Sequence, residues 1–189
     1  MTNDCDRQVP AKSDRTLFIR SALASEFSTV LDLQAESLRG IGGGCYTTAQ
    51  VESLVKGQGL QRERRDEVLL VAEREDGIVG FVAIDPVHPR LSGLYVRPAC
   101  ARQGIGTALL QGAEHRVRKR RSRVMVVLSS MVAVEFYRSR GYRYISKTGF
   151  YSSNRVWVPC VRFRKPLVTL GAFEQWWEDW MAPSLGNIW

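Results

Sequence analysis

Leu94-Tyr95-Val96-Arg97-Pro98 runs straight into Ala99-Cys100-Ala101-Arg102-Gln103-Gly104-Ile105-Gly106-Thr107-Ala108-Leu109-Leu110. The stretch opens with the alternation and β-branched or aromatic residues of a strand, and Pro98 ends the ladder because it has no N–H to donate. A glycine-bearing loop follows. Ile105, Ala108, Leu109 and Ala113 then fall on one helical face. Strand, glycine loop and helix start together suit a phosphate: free amides of the first helical turn point outward, and the helix dipole adds partial positive charge. Gly104 and Gly106 leave out the Cβ that would block a close approach. The order Gly-x-Gly is neither the dinucleotide fingerprint nor a nucleoside-triphosphate loop, so a tight structural turn is the competing reading.

The rest of the chain sets the surroundings of this stretch. Residues 1–15 are expected to form a disordered leader, residues 16–166 one domain, and residues 167–189 a tail. Thr16 to Arg20 reads as a strand. Ser25 reads as the N-cap of a helix carrying Phe27, Val30, Leu31 and Leu38 at helical spacing. Gly40, Gly42, Gly43 and Gly44 break that helix, and Thr47 with Gln50 forms a capping box for a second, short one. Glu67–Arg74 and Ile78–Ile84 flank Asp76-Gly77 as a hairpin, and Arg90–Val96 follows as a third antiparallel strand. The apolar run Val124 to Leu128 predicts a strand buried on both faces. A short helix over Val132–Arg140 should end at a left-handed Gly141, with strands at Tyr142–Thr148 and Val156–Arg164 closing the sheet.

Composition narrows the setting. Four cysteines, Cys5, Cys45, Cys100 and Cys160, lie far apart with only two histidines in the chain, which argues against a structural zinc and for reduced thiols. The N-terminal residues are polar, with none of the apolar core of a secretory signal. No run approaches the ~18 apolar residues of a membrane span, so a cytoplasmic location is expected. The net charge of +8 draws on Arg116, Arg118, Lys119, Arg120, Arg121 and Arg123. Cations are favoured at a helix C-terminus and no aromatics interleave for base stacking, so this run reads as a solvated helix end rather than a nucleic-acid surface. His115 lies within it and is expected at the surface. In the tail, Phe173, Trp176, Trp177 and Trp180 share one helical face, expected to dock on the domain, on a partner, or in a homodimer.

A second stretch completes the pattern: Ser130-Met131-Val132-Ala133-Val134-Glu135-Phe136-Tyr137-Arg138-Ser139-Arg140-Gly141-Tyr142. Together with Leu-Tyr-Val-x-Pro, Gly-Ile-Gly-x-x-Leu-Leu and the Glu-Asp-Gly hairpin, it resembles the GNAT superfamily of acetyl-CoA-dependent N-acetyltransferases over residues 16–166. Glu36-Ser37-Leu38-Arg39 and Tyr46-Thr47 add to the likeness. The resemblance implies an α/β (α+β) fold: a mixed, mostly antiparallel sheet with splayed central strands, flanked by helices, here with a C-terminal Trp-rich helix. It also implies that acetyl-CoA is the co-substrate. Its pantetheine arm would lie along Leu94, Tyr95 and Val96, bonded by main-chain groups of Leu94 and Val96. Its diphosphate would lie on the amides of Arg102, Gln103, Gly104, Ile105, Gly106 and Thr107, with charge from Arg102.

The resemblance further implies that Tyr137 faces the thioester sulfur as general acid, with Phe136 beside it as packing, and that both Phe136 and Tyr137 belong to the cofactor-binding set. The expected reaction moves the acetyl group to a primary amine on a small molecule or peptide by direct attack in a ternary complex. No metal is called for. A non-catalytic acyl-CoA-binding module with a partner-docking tail is the alternative, and its motive is specific. Members often carry an acidic base on the strand at Leu91-Ser92-Gly93, and this chain has none there. Glu36, Glu52, Asp85, His88 or a water held by Ser92 are the substitutes, and each has an ordinary surface or turn role as its rival reading.

Overall fold

The computed structural model describes residues 16–40, 44–63, 67–152, 154–169, 171–172 and 176. Seven strands form one sheet: β1 (Phe18–Ser21), β2 (Val68–Arg74), β3 (Gly77–Ile84), β4 (Arg90–Val96), β5 (Val124–Ser129), β6 (Arg143–Tyr151) and β7 (Trp157–Pro166), in spatial order β1-β2-β3-β4-β5-β7-β6. Every pairing is antiparallel except β4 with β5. The helices are α1 (Phe27–Arg39), α2 (Thr48–Glu63), α3 (Ile105–Lys119) and the single turn α4 (Val134–Arg138).

Strand alternation sends side chains to two faces and gives two cores. On one face Leu70, Ala72, Val82, Ile84, Leu91, Met125, Val127 and Phe163 meet Ile105, Leu109, Ala113 and Val117 of α3, as the helical spacing predicts. On the other, Val71, Phe81 and Ala83 meet Val30 and Leu33 of α1. Ala108 is only half-buried and Leu110 replaces it in the core. The β2–β3 hairpin turns at Gly77 with φ +105°, and Gly141 takes φ +79°; both are left-handed positions suited to glycine. The Thr47 capping box forms as expected: the Thr47 amide donates to Gln50 Oε1 (2.9 Å) and the Gln50 amide to Thr47 Oγ1 (3.3 Å).

Three local expectations need correction. Ser25 does not cap α1. It is exposed within a 3₁₀ turn, Ala24–Glu26, and the Glu26 carboxylate takes the Leu23 amide at 2.8 Å instead. The longer carboxylate also pairs with Arg20 at 2.6 Å, an ion pair a serine cannot make. Strand β5 is not buried on both faces: Met125 and Val127 are fully buried, but Leu128 is 39% exposed on the other side. The reason lies in what α1 covers, which is β3 and β4 rather than β5. The helix over Val132–Arg140 is split into a 3₁₀ turn, Met131–Ala133, and the five-residue α4.

The basic end of α3 is solvated, with His115 exposed, but two of its cations also do structural work. Arg118 Nε donates to Leu167 O (2.9 Å) and Arg120 to Pro86 O (2.9 Å). The leader, and Phe173, Trp177 and Trp180 of the tail, lie outside the described residues; Trp176 is 50% exposed. Cys45, Cys100 and Cys160 are free thiols. No described helix is long and apolar enough to cross a membrane.

Glu114 fastens the back of the domain. It is 5% exposed on α3, and its carboxylate takes Lys165 Nζ (2.8 Å), Tyr142 Oη (3.1 Å) and Arg118 Nη2 (3.1 Å). Burial and this carboxylate hold the Tyr142 phenol above its ordinary pKa. Removing one partner of a buried charge cluster strands the others. Glu114→Ala is therefore expected to cost about 3 kcal/mol, read as a fall of roughly 6–12 °C in the thermal midpoint. A midpoint within a degree of wild type would contradict this role.

Candidate active site

β4 and β5 pair at only two positions, Arg90 with Val126 and Leu91 with Val127, after which they part. On its other side β4 continues against β3 as far as Val96, with a bulge that leaves Ser92 unmatched between Leu91 and Gly93. Among the described residues, the β5-facing edge of β4 from Ser92 onward thus has no strand beside it. A cleft of about 470 Å³ occupies the gap. Its floor is Ser92–Tyr95 of β4, Leu128 and Ser129 of β5, and Tyr137; α1, Tyr46, Leu54 and the β6–β7 hairpin wall the other face. Leu94 and Tyr95, named from sequence, line this cleft; Val96 lies next along the same strand.

Beyond β4 the chain makes a 3₁₀ turn, Pro98–Cys100, and α3 begins at Ile105. Gly104 is the N-cap with φ +82°, a conformation that needs glycine, and no side chain caps the helix. The first amides of α3 therefore have no side-chain acceptor, beside an exposed Arg102. Gln103 turns its side chain elsewhere: Arg74 Nη1 donates to its Oε1 at 2.7 Å, so only its backbone belongs to the loop. Gly106 has a second reason to be glycine, since a Cβ there would lie 3.3 Å from the Phe136 ring. Thr107 accepts from Arg140 Nη2 at 2.6 Å, and the Arg140 guanidinium lies 4.0 Å over the Phe136 ring. Phe136 is thus the packing piece that seats α4 on the start of α3.

Tyr137 is 4% exposed and lines the cleft. Its ring is held edge-on between Phe136 (5.1 Å) and Tyr142 (5.5 Å). Among the described residues no hydrogen bond holds its hydroxyl. Burial, with the Tyr95 phenol nearby, raises its pKa above the ordinary value, so it stays protonated at neutral pH. It is a buried, protonated phenol on a residue that lines the cleft.

The four side chains considered as bases are all placed outside the cleft lining. Glu36 pairs with Arg97 (2.8 Å) and Glu52 with Arg39 (3.1 Å). His88 is 71% exposed on the β3–β4 loop. Asp85 accepts from the Val87 and His88 amides (both 2.9 Å) and from Arg90 Nη2 (2.7 Å). Its task is to fold the loop that launches β4. The cleft lining instead includes Glu67, Arg90, Tyr46, Cys160 and Ser92; among the described residues the buried Ser92 Oγ has no hydrogen-bond partner, and Arg90 is the cation already paired with Asp85. Sequence reasoning gave no catalytic role to Glu67 or Cys160. Glu67 stands just before β2, whose first residue Val68 packs toward α3, and it lines the cleft.

Burial pushes the Asp85 carboxyl up, but the two amides and the Arg90 guanidinium outweigh it and hold it at about 2, below its ordinary 3.8. A depressed pKa gives stability that is present above the unfolded value and lost as pH falls through the folded one. The stability difference between wild type and Asp85→Asn should therefore be flat above about pH 4 and shrink between about pH 4 and 2. Acid-titrated urea melts read this directly, and a difference constant through that window would contradict the assignment.

No curated protein matches the sequence significantly. Solved structures do match in fold. The GCN5-related N-acetyltransferase of Rhodopseudomonas palustris superposes with a TM-score of 0.74 at 21% identity, covering 80% of this chain and 96% of that one. The PaiA N-acetyltransferase of Thermoplasma acidophilum, solved with coenzyme A, gives 0.63 at 18%, covering 80% and 99%. A ribosomal-protein-alanine N-acetyltransferase of Brucella melitensis gives 0.57 at 22%, covering 79% and 99%. The family model of the acetyltransferase (GNAT) domain matches residues 34–161, which spans the parted strands, the uncapped helix and Tyr137. On that match over most of its length, the chain belongs to the GNAT acetyltransferase family.

Proposed function

We propose that the protein is an N-acetyltransferase that moves the acetyl group of acetyl-CoA to a primary amine by direct attack in a ternary complex. The observation that carries this is the gap between β4 and β5, with an uncapped helix start beyond it and Tyr137, whose hydroxyl has no hydrogen bond among the described residues, in the cleft lining. The residues fit the co-substrate. The bare edge of β4 at Leu94 and Val96 offers main-chain groups to an amide-bearing arm, and the amides of residues 102–107 with Arg102 offer donors to a diphosphate. When bound, acetyl-CoA supplies an acetyl thioester whose cleavage releases a thiol.

Tyr137 donates its proton to the departing sulfur. The burial that raises a phenol's pKa also raises that of a thiolate expelled beside it, so the sulfur gains by taking the hydrogen bond and the proton. An N–H of β4 near Leu94 polarises the carbonyl. An alkylamine with pKa near ~10.4 must lose a proton first. Glu67 is the carboxylate that lines the cleft, and the orphaned Ser92 Oγ can hold a water to carry the proton away. Cys160 also lines the cleft, but burial raises its pKa and keeps it a thiol, and both histidines stand elsewhere. This supports direct transfer over an acyl-enzyme.

The absence of a carboxylate on β4 at positions 91–93 favours a second reading, a non-catalytic acyl-CoA-binding module. Thiol release from acetyl-CoA with an amine panel separates the two. On the enzyme reading, Tyr137→Phe lowers kcat about 100-fold with little change in CoA affinity, and Cys160→Ala keeps turnover within severalfold. Unchanged turnover in the first variant removes the acid role; abolished turnover in a folded Cys160→Ala removes direct transfer.

A further inference from the structure

The two lips of the cleft are joined overhead. α1 packs on β3 and β4, one lip, and α2 packs on α1. The other lip is bonded by three side chains, Tyr46 just before α2 and Gln50 and Ser53 on it. Tyr46 Oη donates to Pro159 O of β7 (2.8 Å) and accepts the Met131 amide (2.9 Å). Gln50 Nε2 donates to Trp157 O (2.9 Å) while its Oε1 caps α2, so the capping residue is also the bridge. Ser53 Oγ bonds Ser152 Oγ in a buried contact, and Ser152 is itself oriented by accepting the Val156 amide. Tyr46 and Leu54 from this strap, and Phe150 and Tyr151 from the hairpin, line the same cleft in which Glu67 is the carboxylate.

An extended polypeptide laid across the sheet needs the clear width of a strand, ~4.8 Å from each neighbour, with open space at both ends of its path. The strap's bonds to Pro159, Trp157 and Ser152 stand against such a path. What remains is a pocket with aromatic walls whose charged groups are Glu67 and Arg90, the latter already paired with Asp85 at 2.7 Å, which suits a cation carrying an apolar body. We infer that the acceptor is a small primary amine with an apolar or aromatic body, and not a lysine or N-terminus presented by a polypeptide. This rests on the acetyl-transfer reading above.

The test is a thiol-release assay on the full chain with four acceptors: hexylamine, 2-phenylethylamine, an N-blocked lysine decapeptide, and a decapeptide with a free N-terminus. The two small amines should exceed both peptides in kcat/KM by at least about tenfold. Gln50→Ala/Ser53→Ala, which removes two bridges and no cleft-lining group, should narrow that ratio by raising the peptide values, with acetyl-CoA affinity unchanged by calorimetry. A peptide that matches or exceeds the small amines overturns the inference while leaving acetyl transfer intact. So does an unchanged ratio in a double variant that melts cooperatively. Acetyl-CoA binding without thiol release from any acceptor overturns the transfer reading itself, and this inference with it.

Discussion

A sheet cannot leave a central strand half-paired without consequence, because every backbone N–H and C=O taken from water needs a partner. β4 has β3 along one side and β5 for only two residue pairs on the other. The rest of its edge is an unfinished ladder in the middle of the molecule. The loop at its start makes this possible: Asp85 collects the Val87 and His88 amides and Arg90, and Pro89 O takes the Val126 amide at 2.8 Å. The strands are pinned together at that end and diverge from it. A ligand that can act as a missing strand completes the pairing.

The same economy appears where the chain leaves β4. Gly40 at the end of α1 packs so closely on Pro98 that a Cβ would lie 2.5 Å from its Cγ, and Glu36 pairs with Arg97. These contacts fix where the 3₁₀ turn and α3 begin. Phe136 then fills the space over Gly106, held by Arg140 through Thr107. The helix start and the phenol of Tyr137 are therefore parts of one packed unit. Their spacing is set by aromatic contacts and does not depend on a flexible loop.

Much of this was legible because it is local. The hairpin at Asp76-Gly77, the Thr47–Gln50 capping box, the left-handed Gly141 and the strand-loop-helix at residues 94–110 each follow from neighbouring residues alone. The failures share a different cause. Ser25 lost the cap to Glu26 because Arg20, on a separate strand, stabilises the longer carboxylate. Val124–Leu128 looked doubly buried because an apolar run does not say which neighbour covers it. Glu36, Glu52 and Asp85 are turned to Arg97, Arg39 and Arg90, partners that local sequence does not reveal. Glu67 reaches the cleft from the residue before β2, and Tyr46 joins segments 85 and 113 residues away in sequence. Those contacts exist only once the sheet order is known.

The central claim is that the gap between β4 and β5 receives the arm of acetyl-CoA and delivers its sulfur to Tyr137. A crystal structure of the protein with coenzyme A tests it most directly. The account predicts the diphosphate on the amides of residues 102–107, the arm along Leu94 and Val96, and the sulfur within hydrogen-bond reach of the Tyr137 hydroxyl. A coenzyme bound with its thiol outside the gap, or a Tyr137 hydroxyl shielded from the sulfur by intervening side chains, would contradict it.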